Sequence, residues 1–224
     1  MKILTFDTSL NKTYITYGEN DEIKISKILE SDKEKYHSAF LVPELINILK
    51  SQNITAKDID VIGINIGPGS FTGIRICTVI ARTLAQQADI KVVPVSSLQI
   101  LSMIAQTDKN ILVLTDARKN KFYTALYSKN SNELKAPCII EKENVIEYIK
   151  SQNSTIISDT AVFDFLSEND IKSVNYEDRD YNLGDNLYKI TFKNLSADND
   201  FHWAKAKPLY IQPPSITKSA KKAV

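Results

Sequence analysis

Apolar and polar positions alternate in short blocks at the start of the chain, and this pattern predicts β-strands. Apolar runs or alternating apolar positions cover residues 2–6, 13–17 and 22–28, with a Gly18-Glu19-Asn20 turn between the second and third blocks. Closely spaced strands joined by short turns are typical of an antiparallel arrangement. The first 28 residues are therefore predicted to form a three-stranded meander.

A helical pattern follows the meander over residues 31–51, where apolar residues recur three or four positions apart at Leu41, Leu45, Ile48 and Leu49. Pro43 lies inside this segment and is expected to kink the helix or to mark a late start. Beyond it, the chain alternates buried strands and helices, and we predict a strand over 61–66, a helix over 71–88, a strand over 91–95 and a helix over 97–105. The first half of the chain thus has the order βββαβαβα.

The second half repeats this order. It is predicted to contain strands over 111–115, 121–127, 133–140, 155–158 and 171–176, and helices over 144–152, 161–167 and 183–195. The first strands of the two halves are alike in sequence, with ILTFD at Ile3–Asp7 and LVLTD at Leu112–Asp116, and each ends at an aspartate. These features indicate an internal duplication.

A polar turn at Thr107–Asn110 separates the two halves and sets the predicted domain boundary. We predict that residues 1–108 form an N-terminal lobe and that residues 109–196 form a smaller second lobe. The proline-punctuated tail, from about residue 197 to 224, is expected to pack back on the first lobe.

Composition narrows the range of functions. The 224 residues are 43% apolar and 25% charged, which is ordinary for a globular protein. A net charge of +1 argues against a stand-alone RNA-binding module, since phosphate binding requires accumulated positive charge. The two cysteines, Cys77 and Cys138, suggest neither a disulfide framework nor a metal site. With no apolar run near the roughly 18 residues of a membrane helix, we expect a cytoplasmic protein without membrane contact.

The duplicated order with an aspartate closing each first strand is similar to the actin, sugar-kinase and chaperone-ATPase superfamily, an α/β, two-lobed, ribonuclease H-like architecture. Nucleotide sites of that kind need glycines after the aspartate, because the backbone must approach the phosphates closely. Here the turns after Asp7 (Thr8, Ser9) and after Asp116 contain no glycine. We therefore expect degraded nucleotide turns and no cofactor, while an actin-like-fold ATPase or small-molecule kinase remains the alternative.

The segment Gly67–Gly73 (GPGSFTG) joins a strand to a helix, and it has two readings. The amino end of a helix attracts anions, but the Gly-Lys-Ser/Thr ending of a P-loop is absent. The other reading is a tight turn in which Ser70 or Thr72 caps the helix.

Small residues form a stripe along the helix that follows this turn. Gly73, Cys77, Ala81 and Ala85 are spaced four residues apart and so lie on one face. Small side chains allow close packing, either against a partner helix or against this chain's own sheet, and the spacing alone favours neither.

A metal centre is not indicated by the sequence. His37 and His202 are the only histidines, and neither lies in a pattern of three or four ligands. This counts against a metallopeptidase, and no G-x-S-x-G nucleophile motif is present.

Several motifs together resemble those of the TsaB (YeaZ) family. The most specific is GINIGPGSFTGIR at Gly63–Arg75, and the others are ILTFDTS at Ile3–Ser9, His37-Ser38 with Leu41-Val42-Pro43, VPVSSL at Val93–Leu98, Asp116-Ala117-Arg118-Lys119 with Phe122-Tyr123, and Pro208-Leu209-Tyr210-Ile211. The chain departs from the family at Gln212, where an arginine is usual.

The resemblance implies a non-catalytic scaffold subunit that supports the catalytic paralogue TsaD in installing threonylcarbamoyl on the adenosine next to the anticodon of tRNA. It implies that the ATPase TsaE joins this pair, that ATP and a metal ion are bound by the partner subunits, and that tRNA is contacted only indirectly. Whether the chain forms a homodimer when alone is left open. TsaD carries a His-x-x-x-His metal pair on the helix matching residues 31–51, whereas here the second position is Leu41.

The family pairs with TsaD through the helices predicted over 31–51 and 71–88, and this favours the partner-helix reading of the small-residue stripe. We therefore predict a partner-binding set on these two helices, consisting of His37, Leu41, Leu45, Gly73, Ile74, Cys77, Ala81 and Ala85.

Overall fold

The structure is a computed structural model that describes residues 1–30, 37–195 and 200–212, without the side chains of residues 37–39. Its strands are β1 (Lys2–Asp7), β2 (Thr13–Glu19), β3 (Glu22–Leu29), β4 (Val61–Asn65), β5 (Lys91–Val95), β6 (Ile111–Asp116), β7 (Lys121–Tyr127), β8 (Glu133–Glu141), β9 (Thr155–Ser158) and β10 (Val174–Asn175). Its α-helices are α1 (His37–Ser51), α2 (Phe71–Ala88), α3 (Ser97–Ser102), α4 (Val145–Gln152), α5 (Thr160–Ser167) and α6 (Leu183–Asn194). Short 3-10 helices cover Ala56–Asp58, Lys142–Asn144 and Trp203–Lys205. The predicted duplication of βββαβαβα is confirmed.

The two halves build equivalent five-stranded sheets. The first has the strand order β3-β2-β1-β4-β5 and the second the order β10-β9-β6-β7-β8. In both, the first three strands form the antiparallel meander and the remaining strands pair in parallel. The aspartates that close β1 and β6 therefore lie at equivalent edges of the two sheets.

Side-chain alternation along the strands creates three hydrophobic layers. On β1, Ile3 faces the space between the two sheets, whereas Leu4 and Phe6 face α1 and α2 on the outer side. On β6, Val113 points into the same central layer and Leu114 points outward toward α4 and α5. Helices α3 and α6 lie in the central layer. Because strand side chains alternate with a period of two, one strand supplies both layers.

Residues 200–212 run back over the first sheet and along α2. The backbone N–H of Val92 donates to the carbonyl of Phe201 at 2.9 Å, and the N–H of Leu209 donates to the carbonyl of Ile66 at 2.8 Å. Helix α6, which the predicted boundaries assign to the second lobe, packs against β1–β5. The lobe boundaries themselves stay a prediction, and residues 197–199 and 213–224 of the predicted tail lie outside the described residues.

Candidate functional site

Asp7, at the end of β1, is held by donors from its own chain. One carboxylate oxygen accepts the backbone N–H and the hydroxyl of Ser9 at 2.7 and 2.6 Å, and the other accepts Asn65 Nδ2 at 3.0 Å. The side chain is buried, and this burial raises the pKa of the Asp7 carboxyl above its ordinary value although the hydrogen bonds from Ser9 and Asn65 lower it. Asp7 is thus turned into the protein, where it fixes the loop at Thr8 and Ser9.

The amino end of α2 is closed by the same loop. The side chain of Ser70 accepts the N–H of Gly73 at 3.3 Å, so the expected capping role belongs to Ser70. The N–H of Ser70 in turn donates to the carbonyl of Ser9 at 2.8 Å. A Cβ placed on Gly73 would lie 2.1 Å from the Thr8 carbonyl oxygen, and one on Gly69 would lie 2.7 Å from that of Ser9. The glycines of the GPGSFTG segment therefore allow backbone to pack against backbone.

The second hairpin differs from the first. Asp116 is exposed, its N–H donates to Asp159 Oδ2 at 2.7 Å, and its carboxylate accepts the N–H of Arg118 at 2.9 Å. Arg118, Lys119 and Asn120 all have positive φ values, between 52° and 61°. Non-glycine residues rarely adopt this conformation. The turn is thus held in an uncommon form that leaves Asp116 at the surface.

A cleft of about 830 Å³ separates the two hairpins. The loop after Asp7 and the start of α2 form one wall, the hairpin after Asp116 forms the opposite wall, and residues 209–212 of the tail complete the rim. Asp159 lies in this cleft, and its burial raises the pKa of its carboxyl. The predicted nucleotide turns therefore meet at one cleft, where Ser9 and Asp116 line the walls. Asp7 and Thr8 are buried behind this lining, and Asp7 is bonded to Ser9 and Asn65.

The structure places most of the predicted partner-binding set in the buried part of the two helices. The small stripe of α2 packs into the chain's own core beside the first sheet, as do the predicted residues of α1, and the buried residues are Leu41, Leu45, Gly73, Ile74, Cys77, Ala81 and Ala85. The predicted contact of these residues with a partner stays a prediction. In the single chain the stripe of α2 packs on the chain's own sheet. The side chain of His37 lies outside the described part of the structure.

Cys77 illustrates how completely this stripe is buried from solvent. Its Sγ lies 3.4 Å from Thr8 Oγ1, and burial, together with the nearby Asp7, raises the pKa of the thiol to about 12. A thiol in this state is unreactive at neutral pH because the thiolate is the nucleophile.

The solvent-facing sides of α1 and α2 carry exposed apolar side chains that were not predicted from the sequence. Val42 and Ile46 on α1 are each 45% exposed, and Val79 on α2 is 62% exposed. We call these three residues the apolar strip. The i, i+4 spacing of Val42 and Ile46, each one position after a buried leucine, is the sequence signal that could have revealed it. Seven large apolar side chains are strongly exposed in the described ranges: Met1, Val42, Ile46, Phe71, Val79, Leu134 and Tyr210. Four of these seven, Val42, Ile46, Phe71 and Val79, lie on α1 and α2.

An aromatic cluster joins the tail to the first turn of α2. The ring centroids of Phe71 and Tyr210 are 5.6 Å apart, and the guanidinium carbon of Arg75 lies 3.7 Å from the Phe71 ring centroid. Arg75 Nε donates to the Tyr210 hydroxyl at 2.8 Å. Both aromatic rings are 45% exposed. We call these three residues the arginine cluster.

Within residues 1–30, 37–195 and 200–212, no three His, Cys, Asp or Glu side chains are grouped so that they could hold a metal ion. Over the same ranges, every helix falls short of the length and apolarity that a membrane crossing requires. The expectation that the chain holds no cofactor or metal stays a prediction.

Comparisons with known proteins place these features in context. A family model described as TsaD, tRNA N6-adenosine threonylcarbamoyltransferase, matches residues 25–170. The tRNA threonylcarbamoyladenosine biosynthesis protein TsaB of Bacillus subtilis (strain 168) is 30% identical over 163 residues, which cover 70% of this chain and 69% of that protein. The protein of the same name from Buchnera aphidicola subsp. Acyrthosiphon pisum is 28% identical over 70% of this chain and 74% of its own length.

Among solved structures, a Pseudomonas aeruginosa protein described as uncharacterized and similar to the peptidase YeaZ superposes with a TM-score of 0.76. It is 20% identical, and the match covers 94% of this chain and 99% of that one. At this identity the match bears on the fold alone. Together with the two equivalent sheets, it confirms the predicted two-lobed, actin-like and ribonuclease H-like architecture.

Proposed function

Because the chain belongs to the TsaB family, we propose that it is a non-catalytic scaffold subunit of the complex that installs threonylcarbamoyl on the adenosine next to the anticodon of tRNA. In this role it binds the catalytic paralogue TsaD. ATP and a metal ion belong to the partner subunits, the ATPase TsaE is reached through the complex, and tRNA is contacted indirectly. The complex acts in the cytoplasm.

The apolar strip is the observation that carries the proposal. Val42, Ile46 and Val79 lie on two helices that contact each other, and all three remain strongly exposed in the single chain. Large exposed apolar side chains on neighbouring helices are a feature of interaction surfaces. The buried stripe beneath them, at Cys77 and Ala81, holds α2 firmly on the sheet. The strip is thus presented on a rigid support, which lowers the entropic cost of docking.

The geometry around Asp7 supports a non-catalytic role. Its carboxylate is occupied by Ser9 and Asn65, and the amino end of α2 is occupied by Ser70 and the Ser9 carbonyl. The groups that would meet a phosphate in an enzyme of this architecture are therefore bonded to the chain itself. A catalytic base or a phosphate cradle needs such groups free.

Size-exclusion chromatography with light scattering tests the proposal. The chain and TsaD from the same cell are measured separately and then as a mixture at micromolar concentration. We expect a mixed species whose mass is the sum of the two subunits. Two unchanged masses, with both proteins folded by circular dichroism, would contradict the scaffold role. The chain measured alone also reports whether it forms a homodimer.

The cleft of about 830 Å³ favours one alternative, an ATPase or small-molecule kinase of the actin-like fold. Isothermal titration of the chain with ATP and magnesium separates the two functions. Micromolar nucleotide binding that is weakened by Asp116→Asn, together with turnover, would support the enzyme. The scaffold proposal predicts neither binding nor turnover in the isolated chain.

A further inference from the structure

Arg75 is a preorganised cation with no acidic partner among the described residues. Its guanidinium is stacked on Phe71 and its Nε is bonded to the Tyr210 hydroxyl. None of the ion pairs in the described ranges includes it. The terminal nitrogens of a guanidinium held in this way can meet a carboxylate in a bidentate fashion. The structure therefore contains a positive group already positioned for an acidic ligand.

The tail keeps the cluster in place. The N–H of Leu209 is bonded to the carbonyl of Ile66, which follows β4, and the Tyr210 ring then lies beside Phe71. The Tyr210 ring centroid is 5.8 Å from the guanidinium carbon of Arg75. The tail thus contributes one wall of the cluster, and little side-chain entropy would be lost when a ligand binds.

The arginine cluster is continuous with the apolar strip along α2. Phe71, Arg75 and Val79 are four residues apart, and all three are exposed. Residues with this spacing lie on one side of a helix. A partner that covers Val79 therefore reaches Arg75 one turn away. Arginine and tyrosine are also among the residue types that dominate binding energy at protein interfaces.

We propose that Arg75, held by Phe71 and Tyr210, is the charged anchor of the partner interface and receives a carboxylate side chain of the partner subunit. This inference rests on the proposed scaffold function and extends its interface from the helices to the tail. A protein carboxylate fits better than an RNA phosphate, because one arginine set among apolar side chains lacks the accumulated charge that nucleic acid requires. The chain's net charge of +1 agrees with this choice.

Isothermal titration with the full-length TsaD paralogue measures the contribution of the anchor. Arg75→Gln removes the charge and is expected to weaken binding roughly 10- to 100-fold, because it leaves the partner's carboxylate unpaired. The variant should also lose most of the salt dependence of the wild-type affinity. Tyr210→Phe keeps the ring but loses the hydroxyl that accepts from Arg75, and a smaller loss is expected. Lys150→Gln, an exposed change of the same charge on α4, is the control and should bind normally.

Carbodiimide crosslinking tests the chemistry of the contact independently of affinity. Arg75→Lys places a primary amine at the anchor, and the reagent joins amines to neighbouring carboxylates without a spacer. We expect an amide between the introduced amine and an aspartate or glutamate of the partner, identified by mass spectrometry of the crosslinked peptides. A stable complex of this variant that gives no such crosslink would overturn the proposal.

The outcomes separate this inference from the scaffold function. One outcome is that Val79→Asp weakens binding while Arg75→Gln leaves both affinity and salt dependence unchanged. In that case the role of Arg75 as anchor is contradicted and the scaffold function stands. If the wild-type chain does not bind the paralogue, both the scaffold function and the role of Arg75 are contradicted. If Arg75→Gln reduces binding of tRNA and leaves the protein complex unchanged, the ligand is RNA and the proposal is overturned.

Discussion

Asn65 Nδ2 donates to the carboxylate of Asp7 across 3.0 Å, and this bond links the ends of two parallel neighbours, β1 and β4. The Asn65 side-chain oxygen accepts the N–H of Gly67 at 2.8 Å, so the amide cannot turn over without losing a bond. Both side chains are buried. The pair therefore aligns the Ser9 loop with the Gly67 turn, and these two segments meet at the start of α2.

The pair predicts a destabilising single substitution and a compensating second one. In Asp7→Asn, the oxygen must face Ser9, which leaves the new amide nitrogen against Asn65 Nδ2. Two opposed donors in a buried site should cost about 1–3 kcal/mol of the free energy of unfolding. Adding Asn65→Asp restores a donor–acceptor pair and should recover part of this loss. Urea denaturation of the four proteins of this cycle measures the coupling, and additive effects would contradict the proposed pairing.

Gly73→Ala is expected to destabilise the protein although alanine favours helices. The added Cβ would lie 2.1 Å from the Thr8 carbonyl oxygen, so backbone must move. We expect a loss of about 3 kcal/mol or more, against a gain of about 1 kcal/mol from helix propensity. Thr83→Ala, at an exposed position of the same helix, is the control and should be neutral or slightly stabilising. Thermal melts that show a more stable Gly73→Ala protein would rule out the close contact.

Ala81→Glu is expected to unfold the chain and not merely to block a partner. Ala81 is fully buried against the first sheet, and an unpaired charge in such a site costs several kcal/mol. Thr83→Glu, two residues along the helix at an exposed position, should leave the fold intact. Circular dichroism distinguishes the two, and a well-folded Ala81→Glu protein would show that the stripe is not core.

Cys77 should resist alkylation in the native state over a wide pH range. Its folded pKa is raised to about 12, above the unfolded value near 9. The stability that it contributes is therefore complete below about pH 9 and is lost as the pH rises toward 12. Iodoacetamide at pH 8 should add one label per native chain, at the partly exposed Cys138, and two after unfolding. A Cys138→Ser chain that still reacts rapidly would contradict the burial of Cys77.

Much of the fold follows from sequence periodicity. The predicted bounds of α2, β5, β7 and β9 match the structure because each has a regular pattern of apolar residues bounded by polar or turn residues. Predictions were less accurate where packing decides the ends. Helix α3 ends at Ser102, three residues before the predicted end, and β10 covers only Val174–Asn175 of the predicted 171–176.

Less of the site follows from the sequence, for a physical reason. The spacing of Cys77, Ala81 and Ala85 marks a close-packed face but does not say what packs on it, and only the position of the sheet does so. The arginine cluster could not be predicted from local sequence, because Arg75 and Tyr210 are 135 positions apart along the chain. The loop after Asp7 was correctly described as free of glycine, but the inward turn of its carboxylate depends on Asn65 from another strand.

Isothermal titration of Val79→Asp against the TsaD paralogue tests most directly the claim that the apolar strip is the partner interface. Val79 is exposed, so the substitution should not alter the fold, and Leu134→Asp on β8 is a matched exposed change in the second sheet. We predict that Val79→Asp raises the Kd at least about 10-fold, since a charge would be buried in the interface, and that Leu134→Asp binds like the wild type. A folded Val79→Asp chain that binds with wild-type affinity would show that the apolar strip is not the partner interface.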